Sequence, residues 1–247
     1  MQFLVFLSNH HLFLQNTFKI LATLLHIDTA GEKAMIAFTK NGVVLASKEN
    51  TTPHTHAAFV QATIHELAVT ANCTLANIDA VVVTMGPGSY TGLRVGLSSA
   101  KGIAYALQKP LIGLSTLALL ANAASKTALF KSLGDQIQVF TMIDAKRMEV
   151  FGALFNQALE ITLEEQAIVL EEAFVANLLT NGPILCIGNG ASKIKELTTH
   201  PNVYISDVAY NLMDFIELAE SKFAKKSYED LAYSSPAYLK DFYTKKG

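Results

Sequence analysis

Gly86-Pro87-Gly88-Ser89-Tyr90-Thr91-Gly92-Leu93-Arg94 lies between an apolar run, Ile78 to Met85, and a segment of helical spacing that reaches about Leu107. The run reads as a buried strand, and the glycines and proline as the sharp turn that leaves it. Ser89 or Thr91 is placed to cap the helix that follows by accepting its free N–H groups. A strand, a glycine loop and a helix N-terminus together make a natural seat for an anion. The spacing nevertheless departs from the common fingerprints. A phosphate loop ends in Gly-Lys-Ser/Thr, and here Leu93 follows Gly92. The dinucleotide motif puts its third glycine three residues after the second, whereas Gly92 comes four after Gly88. A hydrolase elbow centres a serine, and the centre here is Tyr90. By spacing, a tight packing turn outweighs a phosphate loop.

The helix carries Gly92, Gly96, Ala100 and Ala104 at successive i+4 positions, a flat stripe of small residues on one face. Glycine costs an exposed helix roughly 1 kcal/mol relative to alanine, so the stripe implies a close neighbour. Another helix, of this chain or of a partner, is the expected occupant.

Of the 247 residues 51% are hydrophobic and 16% charged, with a formal net charge of −2. That is ample material for a core, and nothing in the charge count suggests a dominant nucleic-acid surface or a polybasic membrane patch. Cys73 and Cys186, far apart in apolar settings, read as buried thiols of a reducing compartment. Residues 1–19 do not match the rest. They are apolar, without a basic start or a cleavage site, and broken at Asn9-His10-His11, so they read as an unstructured or artefactual extension.

From Ile20 the chain reads as a strand ending in Asp28-Thr29-Ala30-Gly31, then a hairpin turning at Asn41-Gly42. Thr52-Pro53 opens a helix whose apolar face is Val60, Ile64, Leu67, Ala68 and Ala71. His54, His56 and His65 lack the i,i+4 pairing that a metal needs on one helix face, because Val60 follows His56 at that distance. After the glycine loop and its helix come a strand over residues 110–114 and a helix capped by Ser115-Thr116. This order predicts a mixed sheet with helices packed on it. A boundary falls near Lys126, so the domains read as 20–125 and 126–247. The second half predicts strands over 136–143, 149–155 and 184–187 and a helix near 170–179. It then predicts a long helix over about 208–224 and an extended tail, Ser235 to Lys240, that docks back on the body. The stretch between Phe155 and Leu170 reads as polar connection. Asp28, the glycine loop, Asp144 with Arg147, and Gly188-Asn189-Gly190 each stand where a strand ends, the usual place for ligand sites in such sheets.

Several stretches, taken in order, resemble the TsaB (YeaZ) family. They are Leu25-His26-Ile27-Asp28-Thr29, His56, the Gly86–Arg94 loop, Gly113-Leu114-Ser115-Thr116-Leu117, Ile143 to Val150 and Pro236-Ala237-Tyr238-Leu239-Lys240. The likeness runs from about Ile20 to Lys240. It implies an actin-like, sugar-kinase-like α/β fold of two related domains. It implies a non-catalytic, cytoplasmic scaffold subunit of the complex that forms N6-threonylcarbamoyladenosine next to the anticodon of tRNAs. The implied partners are a TsaD-like catalytic subunit, a TsaE-like ATPase reached through the complex, a second copy of the chain, and tRNA only within the complex. No membrane is implied, and no cofactor either, since metal and ATP belong to the partner subunits. In the catalytic relative two histidines of an HxxxH motif hold the metal; here the pair would be His56 and Val60. Ala30 stands where ATP-using relatives carry a glycine. The resemblance turns Gly92, Gly96, Ala100 and Ala104, with His56 and Val60, into the expected partner interface. It leaves Asp28, Thr29, Gly86, Gly88, Ser89, Thr91, Gly188 and Gly190 as a weak nucleotide or phosphate site. An ATP-dependent enzyme of the same fold, kinase-like or an M22-type peptidase, is the alternative from another class.

Overall fold

The structure is a computed structural model that describes residues 22–52 and 56–240. The extension at 1–19, Pro53 and His54 lie outside the described residues.

Three strands open the chain: β1 (Thr23–Asp28), β2 (Ala34–Lys40) and β3 (Val43–Asn50). Asn41 and Gly42 both take positive φ at the β2–β3 turn, as an Asn-Gly hairpin requires. Helix α1 (His56–Thr70) leads to β4 (Ala80–Gly86), then α2 (Tyr90–Leu107) and β5 (Leu111–Ser115). The five strands form one mixed sheet in the order β3-β2-β1-β4-β5, antiparallel across β1–β2–β3 and parallel across β1–β4–β5. Ser115 caps α3 (Thr116–Ser125), and α4 (Ala128–Ser132) follows.

The second half repeats the plan with β6 (Gln138–Asp144), β7 (Glu149–Phe155), β8 (Ile161–Val169), α5 (Glu172–Leu179), β9 (Ile184–Ile187), β10 (Val203–Ser206) and α6 (Leu212–Ala224). Its sheet runs β10-β9-β6-β7-β8, the same order with the same directions. This duplicated sheet with crossover helices is the actin-like, sugar-kinase-like arrangement.

The central strands are buried on both faces, which explains their nearly continuous apolar sequence. Leu25 and Ile27 of β1 meet Val60, Ile64, Leu97 and Ala100 of α1 and α2 on one face. Leu24 looks the other way, toward Leu119 of α3 and Phe215 of α6. Helix α3 also supplies Leu117, Leu120 and Ala121 to the core behind β6 and β9.

The expected segments need four corrections. The stretch read as polar connection is β8, an edge strand whose Thr162, Glu164 and Gln166 face solvent, so only a period-two pattern marks it. The short strand β10 and the short helix α4 lie where the sequence pattern predicts no element. The last long helix begins at Leu212, not Val208. Asn211 accepts from Met213 N–H while Asp214 accepts from Asn211 N–H, closing a capping box. Finally, residues 126–247 do not all gather on the second sheet. Helix α6 and the segment after it lie on the first, where Glu229 N–H donates to Leu111 C=O and Ala237 N–H to Met85 C=O.

Candidate functional site at the interdomain cleft

The ends of β1, β4, β6 and β9 converge on an open cleft of about 1000 Å³ between the two sheets. Gly88, Ser89, Thr91 and Gly188 stand on its wall, as the sequence suggested, together with Asp144 and Asn189. Asp28, Thr29, Gly86 and Gly190 lie beneath that wall.

Two N–H groups at the start of α2 are engaged from within the chain. Ser89 N–H donates to the Ala30 carbonyl at 2.7 Å, and Ser89 Oγ accepts from Gly92 N–H at 3.2 Å. A Cβ on Gly88 would come within 2.3 Å of the Ala30 oxygen, and one on Gly92 within 2.1 Å of the Thr29 oxygen. The loop glycines therefore let the β1–β2 turn press onto the helix N-terminus, and the oxygen facing Ser89 N–H belongs to Ala30, not to a phosphate.

The small-residue stripe is corrected by the same geometry. A Cβ on Gly96 would meet Thr29 Oγ1 at 2.2 Å, and Ala100 and Ala104 are wholly buried beside β1 and β4 residues. The close neighbour of Gly92, Gly96, Ala100 and Ala104 is this chain's own sheet and turn, so no partner helix reaches them. Val60 is wholly buried in the same core. His56, half-buried at the cleft, places Nε2 3.3 Å from the Gly31 carbonyl. With Val60 turned inward the pair does not fit a metal, and among the described residues no cluster of His, Cys, Asp or Glu forms one.

Asp28 is spoken for as well. Its carboxylate accepts from Ala30 N–H at 3.0 Å, Thr84 OH at 2.9 Å and Tyr210 OH at 2.9 Å. Burial pushes its pKa up against these hydrogen bonds and the charge of His56, and burial beside Asp28 pushes the Tyr210 phenol well above its ordinary value. Tyr210 was missed by sequence reasoning. It lies far away in the chain, and nothing local marks it as the residue closing over Asp28.

Across the cleft, Asp144 receives Lys193 Nζ at 2.5 Å and Lys146 N–H at 2.9 Å. The Lys193 bond, then the Lys146 amide, hold its carboxyl below the usual carboxylate range. Asn189 Oδ1 accepts from Asp144 N–H at 2.7 Å, while Gly188 and Gly190 pack on β6 against Met142. Glu32, Asp144 and Asp207 line the cleft, and Asp144 pairs with Lys146 and Lys193 beside it.

The family model described as "TsaD: tRNA N6-adenosine threonylcarbamoyltransferase" matches residues 44–246. The TsaB protein of Haemophilus influenzae is 30% identical over 238 residues, covering 91% of this chain and 96% of that one. The chain belongs to the TsaB family. The Escherichia coli TsaB protein is 27% identical over 225 residues, covering 88% of this chain and 94% of that one. The YeaZ structure from Pseudomonas aeruginosa superposes with a TM-score of 0.70 at 27% identity, covering 88% of this chain and all (100%) of that one. The TsaB relatives are described as tRNA threonylcarbamoyladenosine biosynthesis proteins.

Proposed function

We propose that this chain takes part in forming N6-threonylcarbamoyladenosine on tRNA as a non-catalytic, cytoplasmic subunit held against a TsaD-like catalytic subunit. The observation that carries this reading is the outer face of α1 and α2. The helices lie side by side on the first sheet, joined by Gln61 Nε2 donating to Ser99 Oγ at 2.9 Å. They expose Ala57, Ala58 and Ala62 on α1 and Ser98 and Gly102 on α2, a flat, low-polarity face flanked by exposed Val69 and Tyr105. Small side chains let a partner's helices approach closely. The same face serves a second copy when the catalytic subunit is absent, and a TsaE-like ATPase docks on the assembled pair. Val60 in the core and Ala30 at the α2 N-terminus support a subunit whose metal and nucleotide are held by its partners. Among the described residues no helix is long and apolar enough to cross a membrane.

The test is light scattering during size-exclusion chromatography, with the TsaD homologue of the same organism. A one-to-one complex is expected, abolished in Gly102→Arg. An added Cβ at Gly102 meets nothing within 4 Å, so that variant keeps its fold. A complex that survives Gly102→Arg undiminished moves the interface elsewhere, and no complex with the wild-type chain overturns the reading.

A further inference from the structure

Beside the cleft, α2, the C-terminal tail and the β6–β7 hairpin join into one ridge. Arg94, on the first turns of α2, lays its guanidinium 3.9 Å over the Tyr90 ring and 5.8 Å from the Tyr238 ring, and its Nε donates to Tyr238 OH at 2.9 Å. Tyr90 and Tyr238 are themselves tilted together with centroids 5.7 Å apart. Two residues on, Lys240 pairs with Glu149 at the start of β7. Lys193 reaches the Glu149 carbonyl at 2.7 Å, and just before β7 the hairpin tip exposes Lys146 and Arg147, both at positive φ. Arg147 has no ion pair among the described residues.

Lys193 and Lys240 are held in ion pairs with Asp144 and Glu149, while Arg94 and Arg147 have no carboxylate partner among the described residues, and Lys146, at 3.8 Å from Asp144, keeps an exposed side chain. Tyr90 and Tyr238 remain 40% and 42% exposed around a surface arginine. Cations that neutralise phosphates, set beside aromatic rings and a guanidinium plane that stack on unpaired bases, are the chemistry of single-stranded RNA recognition. An acidic peptide would call on the cations alone.

We propose that the Tyr90–Arg94–Tyr238 stack and the Lys146-Arg147 hairpin tip form a docking surface for an unpaired RNA loop. This rests on the reading of the chain as part of a tRNA-modifying assembly and names the surface that meets the RNA. The stack holds a splayed base and the hairpin tip holds the backbone next to it.

The experiment measures fluorescence anisotropy of a labelled RNA stem-loop, and of its blunt stem duplex, titrated with the full chain across a salt series. In parallel each variant is mixed with the TsaD homologue and its complex sized. Lys146→Asn with Arg147→Asn removes two charges and keeps residues that tolerate positive φ. It is expected to weaken stem-loop binding roughly five- to tenfold and to lower the salt slope by about one for each phosphate left without its cation. Tyr238→Ala is expected to weaken the stem-loop but not the duplex, with little change in salt slope. Both variants keep the catalytic partner. Stem-loop binding unchanged in the hairpin variant, or absent from the wild-type chain at low salt, overturns the ridge while leaving the partner interface standing. Loss of the protein complex in the hairpin variant with RNA binding intact also overturns it, because the ridge would then be a protein interface. Failure of the wild-type chain to form any complex counts against the subunit reading alone.

Discussion

Thr29 and Gly92 are locked to each other in both directions. The Thr29 hydroxyl donates to the Gly92 carbonyl at 2.7 Å, and the Thr29 carbonyl stands 2.1 Å from where a Cβ on Gly92 would be. This mutual fit seats the β1–β2 turn on α2 and, through Ala30, engages the Ser89 N–H before the helix. Gly92→Ala presses a methyl group onto a backbone oxygen that cannot rotate away. Its cost is expected at or above the top of the range of about 1–3 kcal/mol for overpacked sites. Gly96→Ala meets the Thr29 side-chain oxygen at 2.2 Å instead of backbone, and should cost somewhat less, since χ1 can turn at the loss of the bond to Gly92. Urea unfolding monitored by circular dichroism ranks the two, and equal stability of Gly92→Ala and wild type would contradict this packing.

Nucleotide should find no purchase at this turn. With Ser89 N–H engaged by Ala30 and the cleft wall acidic, millimolar ATP is expected to leave the melting temperature unchanged, with or without magnesium. A Tm that climbs with the logarithm of ATP concentration would contradict this expectation, since ligand binding to the native state must stabilise it.

The buried Asp28 makes its own pH signature. Its native pKa is raised by burial, so its contribution to stability is fully present below the ordinary carboxylate pKa and is lost as pH rises through the native value. Asp28→Asn keeps the acceptor for Ala30 and Thr84 and presents an amide to Tyr210, without the charge. Relative to wild type, the variant should gain stability as pH rises from acid toward neutral. A stability difference independent of pH would mean that Asp28 is not desolvated.

His26 acts in the opposite direction. It is wholly buried on β1, its Nε2 2.8 Å from Thr39 Oγ1 and its ring edge-on to Phe215 at 5.5 Å. Burial lowers its pKa from 6.5 to about 3, so the native state keeps it neutral while the unfolded chain takes up a proton. Stability should therefore fall as pH drops from about 6.5 toward 3, by up to roughly 1.4 kcal/mol per pH unit from this group. His26→Gln is expected to be less stable at neutral pH yet to show a flatter acid limb in denaturant titrations at several pH values.

At α6, Asn211→Ala removes half of the capping box. It should cost about 1 kcal/mol, read as a lower urea midpoint with an unchanged m-value. Asp214, 1% exposed, keeps Lys126 at 2.6 Å in that variant, so the loss stays that of a cap and not of a buried ion pair.

Local patterns were enough for the strands β1, β2, β4 and β5, for the Asn41-Gly42 hairpin and for the caps at Ser89 and Ser115. In each case the governing physics acts within a few residues: apolar continuity, positive φ, an oxygen facing a free N–H. The mixed sheet was legible for the same reason, while β8 was hidden because an edge strand with one wet face carries little apolar signal. The four strand ends that gather at the cleft were also legible one by one, as turns after strands. Their meaning was not. Whether Gly92, Gly96, Ala100 and Ala104 face a partner or the chain's own core depends on what lies opposite. Thr29 lies opposite, 63 residues from Gly92. Likewise the sequence could name Asp28 as a candidate ligand, and only the fold brings Tyr210 from 182 residues away to cover it. Periodicity determines that a helix face is small; tertiary packing decides what fills it, because close approach depends on which surfaces meet and not on spacing along the chain.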